Sequence, residues 1–512
     1  MQQTLTISIL IASAILAALA ATVGMAGAVH MASRRTQGYM HLIFYFMLLM
    51  VALNNLLSGR DLSSTVLSFS GEPVVLARHP FIAIAQPLVS LLMLTAAAER
   101  ILSHWLNRKK IASGSGSGSG SGSPVMLATF LIFWIGTVAI PAFLGAHPNV
   151  SHDYLYSLVI GVAAVLATET ERDLTIKGAR NALFLFMAGG LLLLPINPAL
   201  VLDTSYTQGF LPGVPRMAGL AAHAVSMGIL AQLGLLCLLA RPYESAWLQR
   251  LAWTLGLLVL FLAQSKTAWI AFVLCSACII GVRQGPLFWR RMNNPLRPEL
   301  GVVTVLAFMA TVMGIALLAM FGEVGAKLGS FFDSAQGAQL TSLTGRDQIW
   351  AIAYEEWQRN PVFGYGPTLW DESFRASIAM PNATHAHNQF MDTLSRSGTV
   401  GAAALVLYVV VLLVLSVRYA RSSGGLTLAL FTALLLRSIS EVPLLLFGYG
   451  TELITQVLLL MAIVAAASQA HQVKQARFSK NQTGTFQAPV MSHRPAARSS
   501  AKSRPINTRF SP

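Results

Sequence analysis

The chain has 512 residues, 54% of them hydrophobic and only 11% charged, with a mean hydropathy of +0.61. Soluble domains carry about 25% charged residues, so this composition excludes an ordinary soluble globular fold and describes a chain that lives mostly in lipid. The net charge of +15 raises nucleic acid as a partner, but Lys474, Arg477, Lys480, Arg494, Arg498, Lys502, Arg504 and Arg509 crowd into a tail without one acidic residue. A basic tail rich in Ser, Pro and Gln has too little apolar surface to fold alone. Its expected partner is anionic membrane lipid, not nucleic acid.

Apolar runs near the length of a bilayer crossing recur at 5–30, 39–57, 81–101, 125–145, 154–168, 181–197, 218–240, 249–264, 268–283, 301–321, 399–418, 424–441 and 443–468. Together they make about 12 or 13 spans, an all-α polytopic membrane protein. The first run lacks a basic start and is too long for a cleaved signal, so it reads as a span. Basic groups gather at Arg34–Arg35, Arg108–Lys110, Arg172/Lys177/Arg180, Arg241/Arg250, Arg283/Arg290/Arg291/Arg297 and Arg418/Arg421. With these spans every cluster falls on one side, which the positive-inside bias makes the cytoplasm. The loop from Phe321 to Val400 then lies on the opposite, non-cytoplasmic side.

The expected organisation is N-terminal helices at 1–111, a Ser/Gly linker at 112–124, a transmembrane core at 125–320, an external loop at 321–399, C-terminal helices at 400–470 and a disordered basic cytoplasmic tail at 471–512. The strict Ser-Gly alternation of Ser113–Ser123 reads as a flexible spacer without a function of its own. Cys237, Cys275 and Cys278 lie in apolar runs. Although Cys275 and Cys278 have CxxC spacing, they read as helix-packing thiols and not as a redox pair.

The external loop carries the chemistry-bearing residues. Within it Ile349, Trp350, Ala353, Tyr354 and Trp357 recur at helical spacing over Asp347–Arg359, with Thr344 as cap and Asn360-Pro361 as terminator. Gly364-Tyr365-Gly366-Pro367 predicts a tight turn, and a second helix is expected from Thr384–His387 towards Gly398. His387 is the sharpest candidate for a general base, since an imidazole titrates near neutrality. Its alternative is an idle surface His-x-His with His385. Two histidines at i and i+2 share no helix face, so a joint metal site needs extended backbone there. Asn388 is placed to orient a substrate or the ring, and Asp392 to pair with a nearby cation.

Arg216, Lys266 and Arg346 all fall at non-cytoplasmic membrane boundaries, against the positive-inside bias. Together they suit a diphosphate, held bidentately by guanidinium groups and by a lysine point charge; singly, each is explained by snorkelling. Glu441 ends a span as the partner of Arg437 or of an active-site arginine. Trp350, Trp357 and Trp370 are candidates for sugar stacking or for interfacial anchoring. Apart from Lys266, the spans read as almost free of ionisable groups, which favours interfacial chemistry over a transport path at the midplane.

At these residues the chain resembles the O-antigen ligase and polymerase superfamily. Arg216-Met-Ala-Gly-Leu220 has the Arg-x3-Leu spacing at the start of a span. His387-Asn388, nine residues and then Gly398-Thr-Val-Gly401 resemble the ligase signature. Thr344-Gly345-Arg346, Gly364-Tyr365-Gly366 and Gln264-Ser265-Lys266-Thr267 resemble the polymerase-like members. The likeness covers about 180–445, with the first five spans alike in hydropathy only.

The resemblance implies a GT-C-like bundle acting at the periplasmic face of a bacterial inner membrane, with no cofactor and no metal. It implies inverting transfer of a glycan from undecaprenyl diphosphate, with His387 as base and Arg216 and Arg346, with Lys266, on the diphosphate; His385, Asn388, Tyr365 and Glu441 complete the expected substrate contacts. The leading expectation is polymerisation of lipid-linked repeats into a surface polysaccharide. Its alternatives are ligation to lipid A-core, protein O-glycosylation and, from another class, transport of lipid-linked sugar. The implied partners are the lipid-linked donor, a glycan or lipid A-core acceptor, membrane lipids and other polysaccharide-assembly proteins.

Overall fold

A computed structural model describes the backbone of residues 2–33, 38–62, 79–112, 124–204, 214–293, 346–380, 383–448 and 450–482, with isolated residues between 299 and 313. Side chains are described over the same ranges except 2–17, 107–112, 169, 170, 172 and 471–482. The expected span at 301–321, the Ser/Gly linker and the Thr344 cap lie wholly or largely outside the described residues. The chain forms two units, Met1–Ala470 and His471–Pro512; of the second, helical backbone is described as far as Gln482.

The first unit is all-α, as the composition predicts. Its helices are α1 (Gln2–Ser33), α2 (Leu42–Leu57), α3 (Pro80–Ala112), α4 (Pro124–Trp134), α5 (Ile140–Leu144), α6 (Tyr154–Val165), α7 (Glu169–Leu193), α8 (Pro198–Val201), α9 (Ala224–Ala240), α10 (Ala246–Leu262), α11 (Lys266–Met292), α12 (Arg346–Arg359), α13 (Glu372–Ser377), α14 (Gln389–Arg418), α15 (Leu426–Ser440) and α16 (Thr451–Gln482). Among the described residues six helices are long and apolar enough to cross a membrane, and six more are shorter and apolar. Two two-residue strands, β1 (Leu202–Asp203) and β2 (Arg216–Met217), pair antiparallel with Asp203 opposite Arg216.

Helix starts follow the capping residues. Thr168 and Glu171 close a capping box on α7, and Ser245, Ser265 and Asn388 cap α10, α11 and α14 with their side-chain oxygens. Between α4 and α5 the helix widens into a π turn at Ile135–Ala139. Pro141 has no N–H for the Thr137 carbonyl, and Ser397 Oγ donates to it instead at 2.9 Å. That bond ties α14 to the widened turn.

The antiparallel connections put two sets of helix ends apart. At one set, Arg241 pairs with Asp173 at 2.7 Å, Arg180 lies over the Tyr243 ring at 3.6 Å, and Arg283 donates to the carbonyls of Leu239 and Gly424. These are members of the basic clusters on which the topology rests. At the other set stand the starts of α9, α11 and α14 and the end of α15, which carry the candidate site.

The helix expected from Thr384–His387 towards Gly398 begins at Gln389, and the span expected at 399–418 follows it across a kink at Gly398 (φ 64°, ψ −164°), both within α14. Two expectations are corrected. The last helix starts at Thr451 and not at 443, because Leu444 N–H is bonded to Gln389 Oε1 (2.8 Å) and the Leu446 carbonyl to Ser157 Oγ (2.6 Å), holding this segment non-helical. The spans also hold more charge than expected: Arg100 in α3 forms a buried pair with Glu171 at 2.9 Å, Glu99 beside it is buried, and so is Arg437 in α15. Arg437 lies in the last turn of α15, whereas Glu99 and Arg100 lie inside α3, where pairing with Glu171 offsets the cost of the buried Arg100 charge.

Gly398 explains the Gly-x-x-Gly spacing physically. A Cβ there would lie 2.2 Å from the Val362 carbonyl oxygen, and a Cβ at Gly364 would lie 2.4 Å from the Arg396 carbonyl carbon. This approach lets Tyr365 N–H and Gly366 N–H bond the carbonyls of Ser395 and Arg396, and Thr399 N–H bond that of Pro361. Gly398→Ala is expected to cost about 3 kcal/mol or more, from backbone conformation plus overlap. A thermal midpoint in detergent unchanged from wild type would refute this.

Candidate functional site

Residues 383–388 are non-helical, so the i,i+2 rule that separates two histidines on a helix does not apply. The rings of His385 and His387 meet edge to face at 4.2 Å between centroids. Glu441 reaches both: its Oε2 is 3.3 Å from His385 Nε2 and 3.7 Å from His387 Nδ1, with all three side chains between a fifth and a third exposed. His387 has φ 48°, one of four non-glycine residues in the left-handed region among the described residues, a conformation that costs about 1–3 kcal/mol and survives only where its surroundings enforce it.

Those surroundings come from two sides. Asp392 on α14 accepts the Ala386 N–H at 3.0 Å and pairs with Arg396 at 2.9 Å, while Arg396 donates to the Pro367 carbonyl at 2.7 Å. Both members of the pair are buried, at 1% and 6% exposure. From α12, Trp350 Nε1 donates to the Ala386 carbonyl at 2.8 Å. The peptide between the two histidines is thus held at its N–H and its C=O. Arg396 is the cation that Asp392 was expected to find.

Glu441 departs from expectation. Arg437 pairs with Glu452 at 3.5 Å, and Glu441 turns to the histidines because its backbone leaves α15 in extended conformation at the C-cap. Burial pushes its carboxyl up, but His387, His385 and Arg437 outweigh that and hold it below its ordinary value. Burial and the neighbouring His387 hold the His385 imidazole down, against the pull of Asp392 and Glu441.

His385, His387 and Glu441 offer one ligand atom each within 4.8 Å, a spacing that a metal ion accepts. The hydrogen bonding fits it poorly. His385 Nδ1 accepts the His387 backbone N–H at 3.1 Å, which leaves the proton of the neutral ring on Nε2, the atom facing Glu441. The arrangement is that of a hydrogen-bonded cluster.

The basic residues come from neighbouring segments. Arg216, buried on β2, donates from Nε to the Ala263 carbonyl at 3.3 Å, and Gln264 next to it donates to the Val214 carbonyl at 2.8 Å. Ser265 then caps α11, whose first residue is the exposed Lys266. Thr267, Arg437, Ser440 and Glu441 line one small cavity, which links the start of α11 to the histidine cluster. Arg346 is the first residue of α12, one turn from Trp350 and so on the face that meets the histidine segment; among the described residues it forms no ion pair.

Asn388 and Tyr365 have structural partners. Asn388 Oδ1 accepts the Met391 N–H as the cap of α14, and the Tyr365 ring stacks on His147 at 4.2 Å and packs against Phe374. Trp370 is buried in the small core of the loop, and Trp357 is half-buried with its N–H on the Pro361 carbonyl. Sequence reasoning missed His223. Its imidazole at the start of α9 is held below its ordinary value by burial and Arg60, with Arg216 acting the same way and Glu441 and Asp203 opposing. It therefore stands in the field of both Arg216 and Glu441. Its sequence signal was its place three residues beyond the Arg-x3-Leu spacing, at a helix start.

Fold and site define a multi-pass all-α membrane protein with a histidine–carboxylate cluster and cations at one set of helix ends. Residues 251–406 match the family model described as O-antigen ligase (Wzy_C), which places the chain's resemblance in the O-antigen ligase and polymerase-like superfamily. Members of that family are glycosyltransferase-like enzymes. No match was found among curated proteins. Lys266, Arg346, Tyr365, His385, His387 and Asn388 lie inside the matched segment, whereas Arg216 and Glu441 lie outside it.

Proposed function

We propose that this protein is an inverting glycosyltransferase of GT-C-like architecture that polymerises undecaprenyl-diphosphate-linked repeat units at the periplasmic face of a bacterial inner membrane. The observation that carries the reading is the held, strained His387 beside Glu441, whose carboxylate lines one cavity with Thr267 at the start of α11. The acceptor hydroxyl attacks the anomeric carbon, its proton passes to the His387 imidazole, and the bond to the diphosphate oxygen breaks with its electron pair leaving on the diphosphate. Arg216, Lys266 and Arg346 hold the diphosphate and offset the charge developing there. An apolar groove of about 260 Å³ between α14 and α15, with Asn388 and Ser438 among its lining residues, suits an apolar lipid chain beside the site.

The match to a family described as O-antigen ligase favours one second reading, transfer of the assembled glycan to lipid A-core. The Gly-Tyr-Gly turn does not weigh against it, because Gly364 serves backbone approach to α14 and Gly366 approach to the His147 carbonyl. The glycan-lipid profile of a deletion strain separates the two. Loss of long chains supports polymerisation, and long chains retained on undecaprenyl diphosphate support ligation.

The anion site has its own test. Hydrogen bonds to charged groups contribute about 1.5–3 kcal/mol, so Arg216→Ala and Arg346→Ala should each weaken donor affinity about 10- to 100-fold. Titration of purified protein with lipid-linked donor measures this, and wild-type affinity in both variants would remove the diphosphate assignment.

A further inference from the structure

We infer that Glu441 is a positioning residue for the transfer step: it takes the Nδ1–H of His387 and so turns the basic Nε2 towards the acceptor hydroxyl. This rests on the glycosyl-transfer reading above. His387 Nδ1 is buried and has no hydrogen-bond partner among the described residues, and the acceptor facing it is Glu441 Oε2 at 3.7 Å. Separations of this kind tighten when a reacting complex forms. The backbone of His387 is fixed, since Asp392 and Trp350 hold the preceding peptide. The ring is left free only to turn about its own side-chain bonds, and a carboxylate at Nδ1 settles which nitrogen is basic.

His385 makes the carboxylate a fixed point. With its Nδ1 occupied by the His387 N–H, its Nε2–H faces the same Oε2 at 3.3 Å. One oxygen therefore serves both rings, and His385 anchors the group that aims His387. In the reaction the acceptor O–H proton moves to His387 Nε2, and the imidazolium that forms lies against the Glu441 carboxylate. Glu441 keeps its charge and takes no proton. It faces His385 and His387 from the segment before α14, Arg437 from its own helix and His223 from the start of α9; Asp392 and Arg396 act on His385.

The test uses the full-length protein in detergent, with undecaprenyl-diphosphate-linked glycan extracted from the native strain as donor. Glu441→Gln is expected to lower kcat about 100-fold with donor KM within about threefold of wild type. Removing a carboxylate that favours the imidazolium also moves the acid limb of the kcat profile to lower pH. Glu441→Asp, which keeps the charge, should recover kcat to within about tenfold and restore the limb. Wild-type kcat in Glu441→Gln, or a lowered kcat with an unmoved limb, overturns the assignment and indicates a structural anchor. Where Glu441→Gln does not accumulate as folded protein, Glu441→Ala with added formate replaces it: restored turnover supports the assignment, and no restoration refutes it. An active His387→Ala would instead remove the transfer mechanism itself, so the two failures are distinguishable.

Discussion

Replacing His387 by alanine is expected to lower glycan transfer by about 10²–10⁴-fold, the usual contribution of a general base. The protein should remain folded and inserted, because the peptide before His387 is held by Asp392 and Trp350 and not by the imidazole. Alanine at 387 even removes a bulky side chain from a left-handed backbone position, though the residue keeps its φ of 48°. The measurement is glycan product in a deletion strain complemented with the variant, alongside the amount of membrane-inserted protein. Normal product at normal protein level would end the role proposed for His387.

The second large effect is on stability. Asp392→Ala is expected to destabilise the protein by about 3–5 kcal/mol, since it strands the buried Arg396 guanidinium without its partner. The Asp392 carboxylate also accepts the Ala386 N–H, so the histidine segment loses one of its two anchors at the same time. Arg396→Ala should cost a similar amount, and the double variant less than the sum of the two. Thermal unfolding of the detergent-solubilised protein reads this. Additive losses in the double variant would mean that the pair is not one unit. A midpoint for Asp392→Ala within about 1 °C of wild type would mean that burial has been misjudged as a measure of its importance.

The Asp392–Arg396 pair also shows where sequence reasoning stopped. Asp392 was legible as a partner for some cation, and the helix expected towards Gly398 already set Arg396 one turn after it. What the sequence did not show is that the pair is buried and that it also holds the Ala386 N–H and the Pro367 carbonyl. Glu441 failed differently. Its nearest charge in sequence is Arg437 one turn earlier, and a continuous helix would have paired them. The extended C-cap backbone breaks that geometry and sends the carboxylate to histidines more than fifty positions away. Asn388, expected to orient a substrate or the ring, also caps α14, a role its sequence position did not announce.

Composition and charge placement were sufficient for the all-α membrane architecture, because hydrocarbon admits only backbone that bonds within its own segment. They were sufficient too for locating the polar segment that holds His385 and His387, since polar groups are costly anywhere deeper. Motif spacing reached the superfamily resemblance through local features, the histidine segment and Gly398-x-x-Gly401. What spacing does not encode is distance between segments far apart in the chain. The junction of Arg216 with Ala263, the single carboxylate shared by two histidines and the field of His223 all arise where loops from separate helices converge. Their positions follow from how α9, α11, α14 and α15 pack, and packing depends on every side chain along those helices at once.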